Sequence, residues 1–193
     1  MNNETSYLMG ALRDGNFDVR PGKNYELRIY QDDESWLAAV SEMFQRNFGI
    51  TPKISGKLLR INNKEAIKEL LAISEYKNPQ GQWGTPSLLR TSSDEERWWY
   101  VSGFWDSEGG VPLNPATTTQ KYVSFDQKNK EALEFVRSFL VKEGFRPTNL
   151  TFTGNVWQFR LTRKAEVKEF ATRIISFHRE KFRRLMLLIA SVP

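Results

Sequence analysis

Two carboxylates, Asp14 and Glu108, are the first residues of this sequence whose types and spacing suggest chemistry. Each lies in a largely apolar stretch that passes through one glycine and stops at an acid followed by another. Ser6 to Phe17 reads SYLMGALRDGNF, and Arg97 to Pro112 reads RWWYVSGFWDSEGGVP. Glycine after a last helical residue commonly ends a helix in a left-handed cap, so both stretches are expected as helices closed by Gly15 and Gly109. An acid in a final turn faces the partial negative charge of the helix dipole, a destabilising placement. A hard cation reverses the sign, because Mg²⁺ is held by one or two carboxylates together with phosphate oxygens and water. Taken singly, either helix could simply end on a solvated acid; the repetition argues for the cation.

Composition sets outer bounds. A chain of 193 residues, 39% hydrophobic and 26% charged, has room for one domain or two small ones with a real core. Twenty-eight Lys and Arg against 23 Asp and Glu leave a net charge of +5, which favours a polyanionic partner without identifying it. The absence of cysteine excludes disulfides and thiolate metal sites, and it suits a reducing compartment. The single histidine, His178, cannot build a triad or a multi-histidine metal site and is expected on the surface or in packing. No signal peptide is apparent, and the late apolar run Leu185 to Ala190 is far short of the roughly 20 residues that span a bilayer.

The elements that must position the two acids follow from periodicity. Asn16 to Arg20 and Asn24 to Gln31 alternate around Pro21-Gly22 as a hairpin, with Phe17, Val19, Leu27 and Ile29 toward a core. Asp18, Arg20, Glu26, Arg28 and Tyr30 then share the opposite face. Asp32 to Phe48 has helical spacing, Thr51 to Ile54 and Lys57 to Asn62 form a second hairpin, and Asn63 to Glu75 returns to a helix. Between Tyr76 and Ser92, periodicity fails at Pro79, Gly81, Gly84 and Pro86.

After a second helix capped by Ser92 or Ser93, the order repeats. Gln120 to Phe125 is extended, Lys128 to Glu143 helical, Thr148 to Phe152 pairs with Asn155 to Thr162, and a helix starts at Lys164. The expected division is a half at 1–76, a connector at 77–92 and a half at 93–193, the last ending in an extra helix from Phe177 to Val192. In that helix Arg179, Lys181, Arg183 and Arg184 offer a solvated face or contact to phosphate.

The residues around the acids resemble the signature of the LAGLIDADG homing endonucleases, in particular single-chain, archaeal intron-encoded members. In YVSGFWDSEGG, Gly103 and Ser107 are the small residues that allow close helix contact, and Glu108 stands where that family carries a metal-binding acid. The first copy departs from the second: Gly10 to Asp14 is four positions, Gly103 to Glu108 five. Either the helix end is adjusted by one residue or Asp14 is not quite equivalent to Glu108.

The resemblance implies an α+β fold of two pseudo-symmetric αββαββα halves, with antiparallel sheets forming a DNA-binding saddle and the signature helices packed at the interface. It further implies metal-dependent hydrolysis of duplex DNA at a long non-palindromic target, by a monomer acting inside the cell on chromosomal DNA. Mg²⁺ is the implied cofactor, with Mn²⁺ as a substitute, held by Asp14 and Glu108 beside Gly15 and Ser107.

That family carries a basic residue near the last strand of each half, for which Lys57, Arg60 or Lys64 and Arg160, Arg163 or Lys164 are available. It also carries a polar residue at the end of the second strand, here Gln31 and either Asp126 or Gln127. Gln31, Asp126, Lys57 and Arg160 are chosen as catalytic partners of the acids. Arg20, Arg28, Tyr30, Arg60, Gln120, Lys121 and Gln158 are the expected DNA contacts, since arginine and glutamine can hold phosphates or read base edges. Two other classes remain open: an intron-RNA-binding splicing cofactor, and a non-cleaving DNA-binding protein of the same fold. Acids retained at both helix ends favour the enzyme.

Overall fold

The computed structural model describes residues 1–76 and 79–191. The first half runs α1 (Asn3–Ala11), a 3-10 turn (Leu12–Asp14), β1 (Gly15–Arg20), β2 (Asn24–Tyr30), α2 (Glu34–Phe48), β3 (Lys53–Ser55), β4 (Leu58–Ile61) and α3 (Lys64–Ser74). A connecting segment holds a second 3-10 turn (Gln80–Gln82) and the short α4 (Ser87–Arg90). The order then repeats as α5 (Asp94–Glu108), β5 (Gly109–Gly110), β6 (Val123–Gln127), α6 (Lys130–Lys142), β7 (Thr151–Phe152), β8 (Trp157–Leu161) and α7 (Lys164–Arg173), with α8 (Arg179–Ala190) added.

Local sequence explains where these elements start. Asn2, Asp33, Asn63 and Asn129 each accept a backbone N–H from the first turn of the helix that follows, and Ser93 with Glu96 forms a capping box on α5. The helices α2 and α6 are amphipathic and bury Trp36, Leu37, Val40, Met43 and Phe44, and Ala132, Leu133, Val136, Phe139 and Leu140. By contrast, α1 and α5 are buried nearly all round and form the centre of the molecule.

The sheets are antiparallel, ordered β1-β2-β4-β3 and β5-β6-β8-β7. Their registers correspond: Leu27 lies opposite Ile61 and Arg28 opposite Arg60, as Val123 lies opposite Leu161 and Ser124 opposite Arg160. Alternation therefore turns Leu27, Ile29, Leu59 and Ile61, and likewise Val123, Phe125, Phe159 and Leu161, into one continuous core with α1 and α5.

The halves meet along α1 and α5, and glycine permits it. A Cβ on Gly10 would lie 2.3 Å from the Tyr100 carbonyl oxygen, and one on Gly103 would lie 2.0 Å from that of Tyr7. The two backbones are thus in direct contact, and Ser107 Oγ donates across the seam to Gly10 O at 3.1 Å.

Several expectations change. The first helix ends at Ala11 rather than running to the acid, which sits in a 3-10 turn. Neither Gly15 nor Gly109 is a left-handed cap; both have extended backbone, φ −91° and −94°, because the chain passes straight into a strand. The extended stretch expected at Gln120 begins only at Val123, and β5 is two residues long where β1 has six. Between Tyr76 and Ser92 the chain is not irregular throughout: it forms α4 and stacks the buried Trp83 on Tyr76 at 4.7 Å. Lys77 and Asn78, which open the expected connector, and Val192 and Pro193, which end the expected second half, lie outside the described residues. No helix among the described residues is long and apolar enough to cross a membrane.

Candidate active site

Asp14 and Glu108 end adjacent helices on the same side of the molecule, each one residue before its half's first strand. The shorter first motif is accommodated by its 3-10 turn. Each residue of a 3-10 helix turns the chain by about 120° against about 100° in an α-helix, so Leu12–Asp14 recover part of the missing rotation. Gly15 and Gly109 then leave room for the bend: a Cβ on Gly109 would meet the Trp105 ring at 2.1 Å, and one on Gly15 the Leu12 carbonyl at 2.7 Å.

Both acids are half-buried. Burial raises the Asp14 carboxyl to about 6. Burial and then the Asp14 charge raise Glu108 to about 7, so the two acids feel each other. Among the described residues no three or more His, Cys, Asp or Glu side chains converge as a metal cluster. Two mutually repelling, half-buried carboxylates with no third acid beside them fit a hard cation whose shell is completed by water and substrate oxygens, not an all-protein cage.

Each acid has a glutamine. Gln31 Nε2 donates to Asp14 Oδ2 at 3.1 Å, and the Gln127 side chain lies close enough to Glu108 to favour its ionised form. Asp126 stands one position earlier, on the outer face of the sheet, where it accepts from Gln158 Nε2. The strand register thus makes Gln127, not Asp126, the counterpart of Gln31. Lys57 and Arg160 are not counterparts either: Arg160 corresponds to Arg60, while Lys57 lies at the β4 hairpin, exposed, 2.8 Å from Asp32, with its carbonyl accepting from Gln31 N. Lys64, Arg163 and Lys164 are exposed at the starts of α3 and α7.

Ser107 and Gly15, beside the acids, already have protein partners. The Ser107 hydroxyl donates to Gly10 and Phe104 carbonyls, and its own carbonyl accepts from Lys181. The Gly15 carbonyl faces Gln80 Nε2 at 3.4 Å.

Two cations missed in the sequence border the acids. Arg13, 1% exposed, donates to Tyr100 OH at 2.9 Å, Trp83 O at 2.9 Å and Gly84 O at 2.8 Å, and its charge favours the ionised form of Glu108. Lys181 does the same for both Asp14 and Glu108 while donating to three carbonyls at the end of α5. A signal for Lys181 existed, since it shares a helical stripe with the buried Leu185 and Leu188.

The expected DNA contacts divide. On the first sheet's outer face Arg28 and Arg60 both pair with Glu26, the latter at 2.8 Å; Glu26 is only 4% exposed. Arg20 pairs with Asp18 at 2.8 Å and Tyr30 projects into solvent. On the second sheet Gln158 and Arg160 share the outer face, and the Arg160 guanidinium lies 4.2 Å from the Tyr122 ring centroid. Gln120 is exposed in the loop before β6. Lys121 is not a free cation: its ammonium donates to Pro115 O at 2.8 Å and Ser191 Oγ at 2.7 Å, tying that loop to the end of α8. His178, expected on the surface or in packing, is buried at the N-terminus of α8, 3.0 Å from Asp33.

Comparison with known proteins bears on this geometry. No curated protein sequence matches the chain. Residues 95–174 match the LAGLIDADG-like domain family. Among solved structures, the homing endonuclease I-DmoI in complex with DNA and Ca superposes with a TM-score of 0.65 at 18% identity, over 89% of this chain and 88% of that one. I-DmoI has also been solved with DNA and Mn. The homing endonuclease I-WcaI bound to its DNA recognition sequence gives 0.64 at 14% identity, over 93% and 85%. The N-terminal LAGLIDADG domain of DUF199/WhiA gives 0.60 at 10% identity, over 90% and 82%. The segment 95–174, which carries most of α5 and the second sheet, thus matches the LAGLIDADG-like domain family, and the chain as a whole has the single-chain, two-domain LAGLIDADG fold of I-DmoI.

Proposed function

We propose that this protein is a divalent-metal-dependent endonuclease that hydrolyses both strands of duplex DNA at a long, non-palindromic site. The observation that carries the proposal is the pairing of Asp14 and Glu108 at the ends of two helices in backbone contact, each acid with a glutamine beside it. Support for the DNA partner comes from the net charge of +5 and from the arginines on the outer sheet faces.

Asp14 and Glu108 would hold Mg²⁺, or Mn²⁺ in its place, and the cation would stabilise negative charge on the phosphoryl and leaving oxygens as water attacks. Gln31 and Gln127 fix the direction of the acids. Lys57, exposed beside Gln31, is available to order water at one strand; Arg60 and Arg160, at corresponding positions, meet the backbone or bases of the two half-sites. Different outer faces, Glu26-Arg28-Arg60 against Tyr122-Ser124-Arg160, suit unlike half-sites read by a monomer. The place of action is chromosomal DNA inside the cell.

Selection of duplexes from a random library in Ca²⁺, followed by cleavage of the recovered sequences in Mg²⁺, tests this function. Cutting of both strands at one non-palindromic site is expected. Tight duplex binding without cutting would point to a non-cleaving DNA-binding protein, and tighter binding to a structured intron RNA to a splicing cofactor.

A further inference from the structure

The C-terminal helix α8 reaches into the site through one side chain. Of the basic residues in its first half, Arg183 and Arg184 pair with Glu180 on the helix surface and Arg179 is exposed. Lys181 turns inward. Its ammonium has three protons to donate and three acceptors: Trp105 O at 3.3 Å, Asp106 O at 2.6 Å and Ser107 O at 3.0 Å. All three belong to the last turn of α5: Trp105 O also accepts the Gly109 N–H, whereas Asp106 O and Ser107 O are among the final carbonyls that a helix leaves without intrahelical partners. The next residue is Glu108.

The attachment is reciprocal. Asp106, buried within α5, accepts the Phe177 and His178 N–H groups at 2.8 and 3.2 Å, just ahead of α8, and Asp33 accepts Glu180 N at 3.1 Å. Thus an acid of α5 fastens the start of α8, and a cation of α8 closes the end of α5. Opposite charges meet the opposite ends of two helix dipoles. On the first half a different part serves: Gln80 of the connecting segment donates to the Arg13 carbonyl, one residue before Asp14.

We propose that Lys181 is a positioning residue for cleavage: by closing the final turn of α5 it fixes the direction of Glu108, which makes α8 part of the active site. This rests on the endonuclease function proposed above. Groups that orient a metal-binding side chain commonly change metal affinity by about 10- to 100-fold when removed, without touching the metal.

The test uses the full chain and the best duplex from the selection, comparing wild type with K181M, K181R, L188A and E108Q. Two quantities are read: the Mn²⁺ concentration for half-maximal single-turnover cleavage, and Mn²⁺ bound to the protein–duplex complex, counted by electron paramagnetic resonance. K181M should raise the Mn²⁺ requirement and weaken Mn²⁺ binding by about 10-fold or more, with duplex affinity unchanged. K181R, which retains the charge and the donors, should stay within about threefold of wild type. L188A removes a buried side chain of the same helix and controls for general loosening of α8; its Mn²⁺ requirement should match wild type. If K181M does not fold, K181Q replaces it with the same expectation. A wild-type Mn²⁺ requirement in K181M, or an equal rise in L188A, overturns the positioning role while the inactivity of E108Q leaves the endonuclease standing. Normal cleavage by E108Q overturns both.

Discussion

Gln31 and Gln127 are held alike: each Oε1 accepts the N–H of the following residue, Asp32 at 2.9 Å and Lys128 at 2.7 Å, and each side chain sits beside the acid of its own half. Such fixed amides aim the acids, so Q31A and Q127A should each slow cleavage by about 10- to 100-fold. D126A should instead alter preference at one base pair and cleave at close to the normal rate, because Asp126 faces outward with Gln158. Single-turnover rates on the selected duplex and on its single-base variants decide this. A D126A rate as low as that of Q127A would reverse the assignment.

D14N and E108Q should each abolish or severely slow cleavage in Mg²⁺ while duplex affinity, measured in Ca²⁺, stays the same or tightens. Each removes a half-buried negative charge that would face phosphate. Near-normal cutting by D14N would mean that the 3-10 turn does not deliver Asp14 to the metal; Asp18 on β1 would then be the acid to test.

Duplex affinity should fall log-linearly with salt as counterions are released. R28A and R160A should each cost about 1 to 3 kcal/mol and relax preference at one base pair if they make bidentate base contacts. Anisotropy titrations across a salt series supply both readings, and a flat salt dependence would remove the electrostatic interface.

G103A should be strongly destabilising, by about 1 to 3 kcal/mol or more, because its methyl group would sit 2.0 Å from a backbone oxygen that has no other place to go. For a chain of this size that corresponds to a fall of at least about 2 to 4 °C in Tm. A Tm equal to wild type would show that the helices can separate without loss.

Burial holds the His178 imidazole down at about 4, against an ordinary 6.5; the nearby Lys181 charge adds to this and Asp33 opposes it. The unfolded chain therefore binds a proton near pH 6.5 that the folded chain refuses until about pH 4, and stability should drop through that window as pH falls. H178N keeps a capping side chain without titrating. Its Tm should fall less steeply than that of wild type between pH 6.5 and 4; parallel curves would assign the acid sensitivity elsewhere.

The alternation of Leu27 and Ile29, the helical spacing of Trp36 to Phe44 and the glycines of the two signature stretches made the repeated halves and the central helix pair legible in the sequence. These are local signals, in which a residue's neighbours report its surroundings. The 3-10 turn at Leu12–Asp14 was not legible, since it answers a contact with a helix almost a hundred residues away. Gln127 against Asp126 was decided only by strand register, where one position changes the face. For Lys121 the sequence suggests a DNA contact and for Lys181 a solvated face or a phosphate contact, because composition counts an ammonium but does not say which carbonyls it will find.

Arg13 gives the fold a property that matters for anyone wishing to recombine it. Its guanidinium comes from the first half, is bound by Tyr100 of α5 and by the Trp83 and Gly84 carbonyls, and is almost wholly enclosed. Transplanting the first half onto a foreign partner would strand that charge without its acceptors, and an uncompensated buried charge is destabilising by about 3 to 5 kcal/mol. The two halves are therefore not interchangeable cassettes: a chimera must carry Tyr100 and residues 83–84 along with the first half, or replace Arg13 by a neutral side chain of similar bulk.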